Sequence, residues 1–275
     1  MKKLMMVLWI SFSVSIFAGC PKDSVAIRNT VIGHYIGAWY AGDADAMAKG
    51  LHPLLSKRKV DDYDHIKEAT VEGLVDAAQK GYGTKIPKDK RRTDFWVLDK
   101  YGNMAAARAL ATNFYDCVHV VKVDSMWKII NVLWHGYQNE TPGSEEDLQK
   151  MGETFIQGVL NKDSLTVAKI AHPRMALTRW CDCGKAASVS CSRFMNEMSK
   201  SKCRKESDRP CDGKFKVEVL DIYEHSGTLK MIWPGGMGYG HASYCDSSWV
   251  MINALYSPTK ASCADQTKCK KVCKD

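Results

Sequence analysis

Apolar residues along the chain recur with a helical period first and a strand period afterwards, and this order occurs twice. Residues 24–41 place Ile27, Val31, Tyr35, Ile36 and Trp39 on one helical stripe behind Asp23 or Ser24 as a cap. Gly42-Asp43 breaks the stripe. A short helix over 44–51 follows and ends at His52-Pro53, because proline disfavours helical backbone at the residue before it. A third helix is predicted over 62–80, carrying Ile66, Leu74, Val75 and Ala78. The period then falls to two. Strands are predicted over 93–101, 104–113, 115–123 and 126–134, with turns at Gly102-Asn103 and Asp124-Ser125. The second half predicts helices over 146–161 and 164–171, and strands near 214–224, 227–233, 240–246 and 248–256. Helices segregated ahead of an antiparallel sheet place each half in the α+β class.

The two halves are copies. At a shift of 122, Val97-Leu98-Asp99 falls on Val219-Leu220-Asp221, Tyr101 on Tyr223 and His119 on His241. Asp124-Ser125 and Trp127 fall on Asp246-Ser247 and Trp249, and Ile130-Asn131 with Leu133 falls on Ile252-Asn253 with Leu255. Eleven of the 38 positions from 97 to 134 are identical, where average composition gives about two or three. The front halves align at a shift of 120: Asp43 with Asp163, Ala48-Lys49 with Ala168-Lys169, His52-Pro53 with His172-Pro173. The polar, turn-rich residues 137–147 separate the copies, giving a first domain over 24–136 and a second over 148–257. The second is expected to hold a Cys-rich insertion over 179–211 in place of the third helix, and a Cys-rich tail over 258–275.

The strand Trp127–Trp134 is apolar on both faces. A sheet wetted on one side alternates with polar residues, so the second face requires a cover. The other copy is the nearest one available, which predicts an intramolecular pseudo-dimer with sheet against sheet.

The amino terminus changes the setting. Lys2-Lys3, the apolar run Leu4–Phe17, then Ala18-Gly19-Cys20 has the order of an export signal. Phe17-Ala18-Gly19-Cys20 resembles the lipobox of bacterial lipoproteins. That resemblance implies cleavage of residues 1–19, acylation of Cys20, a short lipid-anchored tether over 20–23, and residence in the cell envelope. Pro21 rather than Asp after the cysteine points to the outer membrane. No later stretch has the roughly 20 apolar residues of a spanning helix. The formal net charge of +8, two units of it on Lys2 and Lys3, carries no nucleic-acid signature. The basic run Lys88–Arg92 is expected to be a solvated loop. Ten cysteines follow Cys20, an even number that in an oxidising compartment predicts disulfides. Cys181-Asp182-Cys183 and the Cys269/Cys273 pair could hold a metal, but neither is a Cys-x-x-Cys and no histidine lies between 181 and 211. No metal and no cofactor are therefore expected. Gly235–Gly240 opens no helix, so it is expected to be a wide turn or bulge rather than a phosphate loop.

The closing hairpin, Tyr115-Asp116-x-x-His119-Val120-Val121-Lys122-Val123-Asp124-x-x-Trp127-Lys128-Ile129, with Gly42-Asp43 and His52-Pro53 ahead of it, resembles the "putative lumazine-binding" group of the NTF2-like superfamily. The resemblance covers nearly all of the first copy. It implies two tandem NTF2-like cones, each with helices packed on a curved antiparallel sheet and a mouth able to hold a small apolar ligand. The recurring His52, His172, His119 and His241, with Asp43 and Asp163, are the candidates for acid–base chemistry. Each has a structural alternative, in a helix-end cap or a buried hydrogen bond. Asn131, Asn253, Trp134 and Tyr256 are the candidates for ligand contact. Two functions follow: a lipid-anchored, non-catalytic protein binding a small ligand or an envelope protein, or an isomerase- or dehydratase-type enzyme using pocket histidines.

Overall fold

The computed structural model describes residues 21–138, 142–181, 184–200 and 214–258. The predicted signal, Cys20 and the Cys-rich tail lie outside them. The first domain opens with α1 (Pro21–Arg28), continues through a π-helical segment (Asn29–Gly37) into α2 (Ala38–Ala41), and turns at Gly42 into α3 (Ala44–Gly50). Gly42 takes φ +71, the left-handed conformation that suits glycine after a helix. Next come β1 (Leu51–Asp62), β2 (His65–Ala69), α4 (Val71–Gln79) and the meander β3 (Asp94–Tyr101), β4 (Met104–Leu110), β5 (Tyr115–Val123) and β6 (Met126–His135). The second domain repeats the series with α5 (Glu145–Asn161), α6 (Ser164–Ile170), β7 (Ala171–Trp180), β8 (Ala186–Ser190), α7 (Cys191–Lys200) and β9 to β12 (Lys216–Tyr223, Ser226–Trp233, Gly236–Cys245, Ser248–Pro258). The two sheets have the same order, β2-β1-β6-β5-β4-β3 and β8-β7-β12-β11-β10-β9. In each, one parallel pair (β1 with β6, β7 with β12) joins otherwise antiparallel neighbours. The fold is α+β, as two tandem units.

The repeated Asp-Ser has a local cause. Asp124-Ser125 and Asp246-Ser247 all take positive φ, between +45 and +72. Left-handed backbone at both central residues makes the tight hairpin whose twist matches its flanking strands.

Four expectations require correction. Residues 62–70 belong to no helix: the Asp62 carboxylate accepts from the backbone N–H of Asp64 and of His65, which closes a β1–β2 hairpin. Helix α4 starts only after Thr70, whose hydroxyl accepts from the Gly73 N–H. Secondly, the Cys-rich stretch is not an insertion over its described part. It contains the last two residues of β7 together with β8 and α7, and these three elements are the counterparts of β1, β2 and α4; residues 201–213 lie outside the described residues. Thirdly, Gly236, Gly238 and Gly240 lie within β11 rather than in a turn. A Cβ at Gly238 would stand 2.8 Å from the Leu255 carbonyl oxygen and 3.0 Å from Tyr256 Cβ. The linker is also shorter than expected, since α5 begins at Glu145 behind the Ser144 cap.

Each sheet buries one face under its own helices. Val118, Val120, Ile129 and Val132 pack there with Ile27, Val31, Tyr35 and Ile36. The opposite faces meet each other. Met104, Ala106, Val121 and Ile130 share one cluster with Trp180, Met237, Tyr239 and Leu255, and Cys117 and Leu133 share another with Val250 and Ile252. Ion pairs cross this junction in matched fashion. Arg108 Nη1 donates to Asp221 at 2.7 and 2.8 Å, and Lys230 Nζ donates to Asp99 at 3.0 Å. Lys230 is the counterpart of Arg108, and Asp221 that of Asp99, so the two pairs are related as by a twofold axis.

Candidate functional site

The first domain encloses a cavity of about 500 Å³ between its helices and the concave face of the sheet. Trp39, Leu74, Phe114 and Trp134 make its walls mostly apolar. Tyr35 and Lys57 make a polar floor with Asp116 buried behind them, and Glu68 also lines the cavity. Lys57 Nζ donates to Asp116 Oδ1 at 2.9 Å and to the Tyr35 hydroxyl at 2.7 Å, while Tyr35 donates to Asp116 Oδ2 at 3.0 Å. The Asp116 side chain is fully buried and that of Lys57 is 7% exposed. The ammonium also lies over three rings, 5.0 Å from the centre of Trp134, 5.4 Å from Tyr35 and 5.8 Å from Phe114. Burial pushes the Lys57 pKa down, opposed by the Asp116 carboxylate. Burial and the neighbouring carboxylate push the Tyr35 hydroxyl well above its ordinary value. The group can therefore hold a proton among three heteroatoms inside an apolar chamber.

Local folding explains the convergence. The π-helical segment buries both Tyr35 and Ile36. Lys57 faces the same chamber from β1, opposite Val132 of β6. Asp116 sits opposite Trp134 in the β5–β6 ladder, which sets carboxylate and indole side by side.

The second domain has a cavity of about 480 Å³ in the corresponding place, lined by Leu177, Val189, Phe194, Met198 and Tyr256 with Arg179, Arg193 and Glu197. Its sheet register identifies the counterparts of the polar floor. Leu177 opposes Ala254 as Lys57 opposes Val132, and Gly238 opposes Tyr256 as Asp116 opposes Trp134. Phe155 replaces Tyr35 at the shift of 120. One fold therefore carries Tyr-Lys-Asp in one copy and Phe-Leu-Gly in the other.

The sequence candidates separate into three places. Trp134 and Tyr256 line the two cavities. His119, His241, Asn131 and Asn253 lie instead between the sheets. The two imidazoles stack with centres 3.5 Å apart, and Asn131 Nδ2 is 3.3 Å from His119 Nδ1. Asn253 donates to the Val132 carbonyl and accepts from Ser56 Oγ and Arg58 Nη1. Burial depresses both imidazoles, that of His241 to about 3. His119 Nε2 and both ring nitrogens of His241 have no partner among the described residues. His52 and His172 are the second residues of β1 and β7, and each Nδ1 accepts from the backbone N–H two residues on, Leu54 or Arg174. Asp43 and Asp163 are N-caps, accepting from Ala46 N–H and Thr166 N–H. None of the four histidine candidates lines either cavity.

Cys117, Cys191 and Cys245 carry free thiols, so these three lend the pairing expectation no support. Cys183, Cys203, Cys211, Cys263, Cys269 and Cys273 lie outside the described residues. Among the described residues no cluster of three or more His, Cys, Asp or Glu side chains is placed to hold a metal.

Residues 22–135 match the family described as "Putative lumazine-binding". The chain carries two α+β units in tandem with the same strand order, and the first of them is similar to this NTF2-like family. Solved structures similar to one NTF2-like unit include an NTF2-like protein of unknown function from Shewanella baltica OS155, at 16% identity and TM-score 0.35, covering 43% of this chain and 96% of that one. An NTF2-like protein of unknown function from Methylobacillus flagellatus KT matches at 20% identity and TM-score 0.36, covering 44% and 97%. A domain of unknown function with a cystatin-like fold from Nostoc punctiforme PCC 73102 matches at 15% and 0.33, covering 44% and 81%. No curated protein matches the chain.

The sequence had not marked Tyr35, Lys57 and Asp116 as a site. Their signal lies in the repeat, at positions where the copies differ rather than where they agree.

Proposed function

We propose that the first NTF2-like domain binds one flat, largely apolar small molecule over the Tyr35–Lys57–Asp116 floor, and that the second domain serves mainly to cover the first domain's sheet. The observation that carries this reading is the difference between the copies. A buried ion pair is a poor source of stability, and replacing one by apolar groups of similar volume is often neutral or favourable. The second domain keeps the strand order and register with Phe155, Leu177 and Gly238 in those places, so the fold does not require the polar floor. A chamber of this volume, apolar with a few convergent polar groups, is the usual form of a small-molecule site. Acid–base catalysis by His52, His119, His172 or His241 gains no support from their positions, which are outside both chambers.

The family description makes lumazine, a planar pteridine, the first probe. Titration should quench tryptophan fluorescence saturably, with one site per chain, and Trp134→Ala should abolish the response. If titration shows no saturable lumazine binding and native mass spectrometry of the freshly purified chain shows no retained compound, this reading is refuted. We further propose that the protein is held at the cell envelope by lipid on Cys20. Cys20→Ser should release it to the soluble fraction or leave it uncleaved; unchanged fractionation and unchanged sensitivity to globomycin would refute the anchor.

A further inference from the structure

We propose that Lys57 captures a carbonyl group: its Nζ forms a reversible imine with an aldehyde or ketone carried by the molecule the first cavity binds. This rests on reading that cavity as a ligand site and adds the reactive group the ligand must carry.

The placement has the parts such a step requires. Lys57 is the lysine of the chamber lining, and its wall of Trp134, Phe114 and Tyr35 favours an uncharged, planar substituent beside the amine. An amine attacks a carbonyl only as the free base, and desolvation by apolar walls is a recognised means of making a lysine nucleophilic. Asp116 Oδ1, at 2.9 Å, is placed to take the proton that Nζ gives up. Tyr35 bridges the two groups, within 2.7 Å of Nζ and 3.0 Å of Asp116 Oδ2, so a proton can return toward the carbonyl oxygen. The bonds balance. A C–N bond forms as the carbonyl π bond opens, giving a carbinolamine; the C–O bond then breaks and the oxygen departs as water after accepting a proton from the Asp116–Tyr35 pair. Nothing is oxidised or reduced. Leu177, Gly238 and Phe155 remove nucleophile, base and relay together from the second chamber, as one reaction site lost whole.

The test uses the full mature chain with 2-naphthaldehyde, a flat uncharged probe, and cyanoborohydride to reduce any imine to a stable amine. Intact mass is followed by peptide mapping of the wild-type protein, so the result does not depend on a variant folding. The expected result is one adduct per chain at Lys57, formed about tenfold or more faster than on exposed lysines. Lys57→Arg and Lys57→Leu should both lack it. Adducts spread over surface lysines with Lys57 unmodified would overturn the proposal. Lumazine titration keeps the two readings apart. Saturable lumazine binding with no Lys57 adduct refutes the imine and leaves the cavity reading standing; loss of both removes both.

Discussion

Asp116→Ala is the most informative single change to the folded state. It removes the carboxylate that accepts at 2.9 Å from Lys57 and at 3.0 Å from Tyr35, and leaves an ammonium whose side chain is only 7% exposed. Deleting one member of a buried pair costs about 3–5 kcal/mol, whereas replacing both by apolar groups is often neutral or stabilising by about 1–4 kcal/mol. Asp116→Ala alone should therefore lower the urea midpoint by about 1–5 M, for a slope of about 1–3 kcal/mol/M. The double variant Lys57→Leu with Asp116→Ala, imitating the second domain, should recover most of the loss. The penalty also has a pH signature. Without its counterion Lys57 is pushed further below its unfolded value, so between the two values the unfolded chain binds more protons and stability rises with pH. The single variant should then be closer to wild type at pH 9 than at pH 6. Tryptophan-monitored urea unfolding at both pH values measures all of this. A loss under about 1 kcal/mol would refute the buried ion pair, and a double variant as weak as the single would refute a floor kept for function rather than stability.

Four further outcomes are expected. His119, His135 and His241 are depressed by burial, the last two to about 3, against about 6.5 in an unfolded chain. Between those values the unfolded state binds more protons, so stability should fall as pH drops from about 6.5, by up to about 1.4 kcal/mol per unit for each; a flat unfolding midpoint between pH 7 and 4 would contradict it. Arg108→Lys keeps the charge but loses both the fork onto Asp221 and the stack between Trp96 and Tyr223, whose centres are 4.5 and 4.8 Å away. It should cost about 1–2 kcal/mol, and an unchanged Tm would refute that role. The Cys117 thiol, pushed up to about 12 by burial, should resist iodoacetamide in the native protein and react on unfolding; native labelling at the rate of an exposed thiol would contradict its placement. A fragment of residues 21–137 would expose the Met104, Val121, Ile130 and Leu133 face. It should self-associate in sedimentation, because each large apolar side chain left wet forfeits about 1.5–3 kcal/mol; a stable monomer would show that the face needs no cover.

The sheets were legible because the β3–β6 and β9–β12 meanders are apolar, strand-length runs set between marked turns. β1 was not. Pro53 interrupts it, and Lys57-Arg58-Lys59 has the look of a solvated run. The structure accommodates both. The ladder to β6 is irregular between Leu51 and Ser56, which accommodates a proline, while the aliphatic stem of Lys57 packs inward with its charge matched by Asp116. The same misreading hid the candidate site, since Lys57 belongs to that strand. His119 and Asn131 misled for the opposite reason. They recur because both copies contribute them to a shared junction, and recurrence marks whatever the pair of domains needs in common. A chemistry kept by one copy leaves its trace as divergence.

The π-helical segment Asn29–Gly37 has a consequence of its own. Its counterpart α5 is α-helical throughout, from Glu145 to Asn161. Tyr35 and Phe155 are 120 apart in number, yet the buried Ile27 matches the buried Leu148 at 121. The same offset relates Asp23, which accepts from the Trp127 indole, to Ser144, whose carbonyl accepts from that of Trp249. The first helix thus contains one residue more than the second between two fixed anchor points. In an α-helix a single inserted residue would rotate everything beyond it by about 100°, carrying Tyr35 out of the chamber. Widening the turns absorbs the extra residue locally and leaves both ends in phase. The coil acts as a vernier, and the unwidened helix of the second domain is the natural record of the same element with that residue taken out.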